Sequence, residues 1–143
     1  SLMICGAMLG VNVKICSPKG FEADSKIVEK AKSLSEFGSK ISISNDPLKA
    51  MKDAQVIYTD VWASMGQEEE HLKRKKIFEN YKVDQKLIEL ADEGAIILHC
   101  LPAHRGEEIT EEALESKSSQ VFDQAENRLH VQQALLAVQL GGL

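Results

Sequence analysis

No apolar run in this sequence approaches the roughly 20 residues that a membrane-spanning helix needs, so no membrane partner is expected. Basic residues are not in excess: 17 Lys and Arg stand against 22 Asp and Glu, a net charge of −5. No Lys/Arg stripe is interleaved with aromatics, which removes nucleic acid from the expected partners. Cysteine is scarce. Cys5, Cys16 and Cys100 form an odd set at wide spacing with no Cys-x-x-Cys pair. That excludes a disulfide framework and leaves reduced thiols in a cytoplasmic setting as the expectation. Cys5 and Cys16 lie in apolar surroundings and read as small core residues. The opening Ser1-Leu2-Met3-Ile4-Cys5 lacks the charged region of a secretory leader, so none is expected. No linker, repeat or low-complexity segment interrupts the chain, and its length favours one domain.

What is present is an alternation of strand and helix patterns. Residues 1–9 read as a helix that Gly10 ends from the position after the cap. Residues 11–16 alternate as a strand and stop at Ser17-Pro18-Lys19-Gly20. Asp24 can cap a helix whose apolar face is Ile27, Val28, Ala31 and Leu34. Residues 40–44 form a short β-branched strand, and Asp46-Pro47 opens a short helix. Residues 55–58 and 95–98 read as buried strands. Between them, Glu68-Glu69-Glu70 followed by Lys73-Arg74-Lys75-Lys76 reads as a solvated, charge-alternating helix, and a further helix lies near residues 84–91. Thr110 caps a brief helix with Ala113 and Leu114 inward. Residues 120–122 are expected as a last strand and 126–140 as the final helix. Short apolar strands separated by helices predict the α/β class, with a doubly wound, mostly parallel sheet and helices on both faces in the Rossmann-like manner. The chain opens inside a helix with no strand before it, which reads as a βαβ unit truncated at its first strand.

In open α/β sheets, ligands bind beyond the carboxyl ends of the strands. Three segments fall there: residues 59–70, 99–106 and 123–130. Asp60 can pair with an ammonium, while Ser64 and nearby backbone N–H groups can hold a carboxylate, together reading an α-amino acid head group. Cys100 at a strand end can touch the reacting part of the same ligand. Arg128, expected near the start of the last helix, favours an anion such as phosphate through its guanidinium and the helix dipole. Each residue also has a plainer reading. Asp60 can be a turn cap, Ser64 and Gly66 merely a loop, and Arg128 a partner of Glu126 or Asp123. His99, Cys100, His104 and His130 match no standard zinc spacing, so no metal is expected.

Asp60-Val-Trp-Ala-Ser64-Met65-Gly66-Gln67-Glu68-Glu69-Glu70, His99-Cys100-Leu101-Pro102-Ala103-His104-Arg105-Gly106 and Glu126-Asn127-Arg128 follow one another. In this order and spacing they closely resemble the ornithine carbamoyltransferase family, across essentially the whole chain. His-Cys-Leu-Pro together with Ser-Met-Gly separates the pattern from aspartate carbamoyltransferases, which carry His-Pro-Leu-Pro. The resemblance implies two α/β domains in the whole enzyme, an N-terminal one for carbamoyl phosphate and a C-terminal one for ornithine. Residues 1–143 are similar to the second alone. Neither a Ser-Thr-Arg-Thr phosphate loop nor a His-Pro-x-Gln segment occurs here, which puts the activity of this piece alone in doubt. The family's Asn-rich turn, which helps hold the ornithine carboxylate, is also absent.

Carried over, Asp60 would bind the α-amino group of L-ornithine, and Ser64 with the backbone of Met65 would hold its carboxylate. Cys100 would lie beside the δ-amino group as proton acceptor. Cys100 and Leu101 would approach the carbamoyl group, and Arg128 would contact carbamoyl phosphate. No cofactor is implied, and the full-length enzyme is expected as a homotrimer built largely through the other domain. The products would be L-citrulline and phosphate, within arginine metabolism. The competing readings are a non-catalytic amino-acid-binding α/β module and a sister carbamoyltransferase acting on another amine such as putrescine. Cys100 can be a thiolate base or a neutral thiol that orients the amine.

Overall fold

The computed structural model describes residues 1–63 and 68–141. Two compact units divide the chain, residues 1–52 and 53–143.

In the first unit the helix α1 (Leu2–Met8) is followed by the strand β1 (Val13–Cys16), the helix α2 (Ser25–Ser33), the strand β2 (Ile41–Ser44) and the short helix α3 (Pro47–Met51). Met3 and Ala7, one helical turn apart, are the inward residues of α1. Gly10, at φ +78°, ends the helix in the left-handed conformation that glycine adopts without steric cost. Asp24 caps α2 by accepting the Lys26 N–H at 2.7 Å. Asp46 caps α3 with Pro47 at its first position. β1 and β2 pair in parallel with Val13 opposite Ile41 and Ile15 opposite Ile43. Those four side chains close over Met3, Ala7, Val28 and Ala31.

Two details differ from the sequence reading. Ile27 is 48% exposed, because the buried face of α2 is carried by Val28 and Ala31. Cys5 is exposed and Cys16 only half-buried. Met3 and Ala7 occupy the inward stripe of α1, and Cys5 lies between them on the outer side, so apolar neighbours in sequence did not make it a core residue.

The second unit holds the strand β3 (Val56–Thr59), the helix α4 (Glu68–Phe78), a 3₁₀ turn at Glu79–Tyr81, the short helix α5 (Gln85–Ile88), the strand β4 (Ile96–His99), the short helix α6 (Glu111–Leu114) and the long helix α7 (Val121–Gln139). β3 and β4 are also parallel. Thr110 caps α6 as expected, accepting the Ala113 N–H, and Asp84 caps α5 by accepting the Leu87 N–H. Ile57, Leu87, Ile97, Ile109, Leu114 and Val121 are buried. The α/β class and its parallel pairing agree with the expectation.

The strand expected at 120–122 is not formed. The chain touches β4 only at its margin, where Ser119 bridges Ile97 and the Gln120 N–H donates to the Ile97 carbonyl at 2.9 Å. Val121 already begins α7, because the apolar pair Val121-Phe122 is too short to hold a ladder against the helix-forming residues that follow. No helix among the described residues is long and apolar enough to cross a membrane.

Helix α1 crosses β1 closely at Gly6, where an added Cβ would stand 2.5 Å from Cγ2 of Val13. Val13 is β-branched and has little rotamer freedom to retreat. Gly6→Ala is expected to destabilise the protein by about 1–3 kcal/mol, and Val13→Ala in the same chain to recover part of that loss. Urea denaturation of the single and double variants measures both. An unchanged midpoint for Gly6→Ala would refute the close packing.

Candidate functional site

Parallel pairing places Thr59 opposite His99 at the carboxyl ends of β3 and β4. The next residues, Asp60 and Cys100, therefore leave the sheet side by side although 40 positions separate them. Cys100 Sγ donates to Asp60 Oδ1 at 3.0 Å, and the same oxygen accepts the Val61 N–H at 2.7 Å. Both side chains are exposed, at the strand ends where α/β folds bind ligands.

Partial burial pushes the Cys100 thiol above its ordinary value, and the hydrogen bond to Asp60 and that carboxylate's charge push the same way. The Tyr58 hydroxyl pulls weakly against them. At neutral pH the sulfur thus keeps its proton. Of the two protonation states left open by sequence, this arrangement holds the neutral thiol.

Behind Cys100 the backbone is held by a buried pair. Leu101 lies at φ +55°, a left-handed conformation disfavoured for a residue with a Cβ. Its N–H donates to His99 Nδ1 at 2.8 Å. An accepting Nδ1 leaves the ring proton on Nε2, which points at Glu108 Oε1 at 3.0 Å, with both side chains fully buried. Glu108 Oε1 also accepts the His104 N–H. Burial alone would raise the Glu108 carboxyl, but these hydrogen bonds outweigh it and hold it below the usual carboxylate value. Gln124, in the first turn of α7, accepts the His99 N–H at 3.0 Å and donates to the Tyr58 hydroxyl at 3.3 Å.

Asp60, Cys100 and Leu101 are thus brought together. Ser64 and Met65 lie outside the described residues. Arg128 requires a correction: α7 begins at Val121, so Arg128 sits seven residues inside it, about 10 Å along the axis at 1.5 Å per residue. The helix dipole acts within the first turn and does not reach it. Among the described residues Arg128 pairs with neither Glu126 nor Asp123, and Glu126 instead faces His130 at 3.4 Å. The set His99, Cys100, His104 and His130 does not converge, since the His99 ring is turned inward to Glu108.

Sequence reasoning did not assign positions to Tyr58, Glu108 or Gln124, nor to the His99 ring. One signal was available for the ring. Along β4 every second residue is buried, so the pattern that buries Ile97 buries His99 too, and a buried imidazole calls for a partner.

The family model described as aspartate/ornithine carbamoyltransferase, Asp/Orn binding domain, matches residues 1–139. The ornithine carbamoyltransferase of Prochlorococcus marinus is 64% identical over 143 residues, which are 100% of this chain and 45% of that protein. The solved ornithine carbamoyltransferase of Pyrococcus furiosus superposes with a TM-score of 0.93 at 50% identity, over 100% of this chain and 46% of its own. An N-acetyl-L-ornithine transcarbamylase structure gives 0.81 at 27% identity, over 95% and 42%. The chain spans about half the length of the curated relatives it matches.

Two measurements test the geometry. With Cys5 and Cys16 replaced by Ser, the pH midpoint for alkylation of Cys100 is expected to fall in Asp60→Asn, because the charge and acceptor that hold the proton are gone; an unchanged midpoint would dismiss the pair. Glu108, with its folded pKa depressed, contributes stability that is complete above the unfolded value near 4.5 and lost as pH falls through the folded one. The urea midpoint of Glu108→Gln should therefore decline less steeply below about pH 4.5 than that of the parent; parallel declines would contradict the assignment.

Proposed function

As the chain belongs to the aspartate/ornithine carbamoyltransferase family, we propose that it supplies the ornithine side of a carbamoyl transfer made by the full-length polypeptide. In that reaction the δ-amine of L-ornithine attacks the carbonyl carbon of carbamoyl phosphate. The C–O bond to phosphate breaks, and L-citrulline and phosphate leave. The observation that carries this reading is the Asp60–Cys100 contact at 3.0 Å on paired strand ends. Ornithine, with four carbons between its nitrogens, can lay its α-ammonium on Asp60 and its δ-nitrogen beside Cys100. Ser64 and the Met65 backbone receive the carboxylate, backbone atoms of Cys100 and Leu101 approach the carbamoyl group, and Arg128 meets carbamoyl phosphate.

The chemistry needs a neutral amine, since a δ-ammonium with an intrinsic pKa of about 10.4 is not nucleophilic at neutral pH. Binding supplies a means. An α-ammonium on Asp60 offsets the carboxylate charge that helps hold the Cys100 proton, so the thiol can release that proton to solvent as the substrate arrives, and the thiolate so formed accepts one proton from the δ-ammonium, leaving a neutral amine. Transfer then depends on holding the amine against the carbonyl and on donors for the tetrahedral oxyanion. The carbamoyl-phosphate anchors belong to the other domain in this reading, so residues 1–143 alone are expected to make no citrulline. The same resemblance supports a cytoplasmic homotrimer acting in arginine metabolism.

The full-length protein is expected to form citrulline from ornithine and carbamoyl phosphate. Cys100→Ala should lower kcat by about 100-fold or more, and Asp60→Asn should chiefly raise the KM for ornithine. L-norvaline, which keeps the head group and lacks the δ-amine, should lower the alkylation midpoint of Cys100. Product from putrescine in place of ornithine would transfer the protein to the sister activity. No product from either amine, with ornithine still bound, would leave the non-catalytic module.

A further inference from the structure

On the outer side of the turn that holds Glu108, its neighbour Glu107 faces helix α4. Glu107 Oε2 lies 2.8 Å from His71 Nε2 and 3.9 Å from His104 Nδ1. One donor atom from each of these three residues lies within 4.8 Å of the others. The two imidazole rings stand edge to face, 81° apart, with centroids separated by 6.1 Å. Two segments far apart in sequence thus present two imidazole nitrogens and one carboxylate oxygen to one point. His71 comes from the first turn of α4, while His104 and Glu107 come from the turn that contains Gly106 at φ +86°.

We propose that His71, His104 and Glu107 form a binding site for a divalent cation of the zinc class, separate from the substrate residues. Two imidazoles and a carboxylate are a borderline donor set that suits zinc, cobalt and nickel ahead of calcium or magnesium. Bonds of about 2.0–2.1 Å in a tetrahedral site put donors about 3.3 Å apart. The 2.8 and 3.9 Å separations straddle that figure. A fourth position stays open to water. The competitor is Lys75, whose Nζ lies 3.1 Å from Glu107 Oε1. It leaves the second oxygen, the one nearest both rings, to the cation. Bound metal would join α4 to the turn at 104–107.

The experiment titrates the full-length protein, stripped with a chelator, with cobalt(II) chloride and then zinc chloride. Cobalt is expected to bind at one equivalent with d–d absorption and no thiolate charge-transfer band, and zinc to displace it. His71→Ala and His104→Ala should each weaken binding by more than about tenfold, the lower figure for loss of a mere outer-shell partner. Lys75→Gln should tighten it by freeing Glu107. Both histidines are partly exposed, so the metal-free variants should unfold at the parent's midpoint, and zinc should raise that midpoint only where both histidines are present. The proposal is overturned if the parent binds no more tightly than the His71→Ala/His104→Ala double variant. It is equally overturned if the spectrum shows a thiolate band that Cys100→Ser abolishes.

Discussion

In a parallel pair a slip of one residue turns every side chain to the opposite face, so the pairing of Thr59 with His99 settles far more than a sheet edge. In this register Asp60 and Cys100 emerge together, Ile57 and Ile97 face the core, and His99 points inward. A shift by one would bury Cys100 and put an imidazole in solvent. The apolar residues at 57 and 97 resist that slip, so the contact between Asp60 and Cys100 is maintained by core packing at a distance from it.

The inward His99 carries the second consequence. A buried imidazole needs partners on both nitrogens, and it finds the Leu101 N–H on one side and Glu108 on the other. The unfavourable backbone of Leu101 is thereby held by a ring that cannot rotate without leaving a buried carboxylate unpaired. Consecutive residues divide the work of this turn. Glu108 is committed to the interior and Glu107 to the surface of α4.

Much of this was legible in sequence, and the reasons differ by element. Capped helices announced themselves because Asp24, Asp46 and Thr110 each satisfy N–H groups two or three residues away, a purely local matter. The strands at 41–44, 56–59 and 96–99 were legible as β-branched runs. The triplet at 120–122 misled because local apolar character cannot register the helix-forming stretch that follows, and Arg128 was misplaced along with it. Cys5 was misread because its neighbours in sequence are not its neighbours around the helix. Asp60 and Cys100 could be singled out by position and motif, but their contact could not, since it depends on register between strands 40 residues apart. The links from Gln124 to His99 and Tyr58, and from His71 to Glu107, are hidden for the same reason.

The protonated state of Cys100 has a meaning beyond proton transfer. Oxidants and disulfides attack thiolates, and an accessible sulfur in a site open to small molecules is ordinarily the first to be lost to sulfenic acid. Partial burial, and after it the Asp60 carboxylate, hold this sulfur in its less oxidisable form. The carboxylate that fixes the position of the sulfur thus also favours its resistance to oxidation.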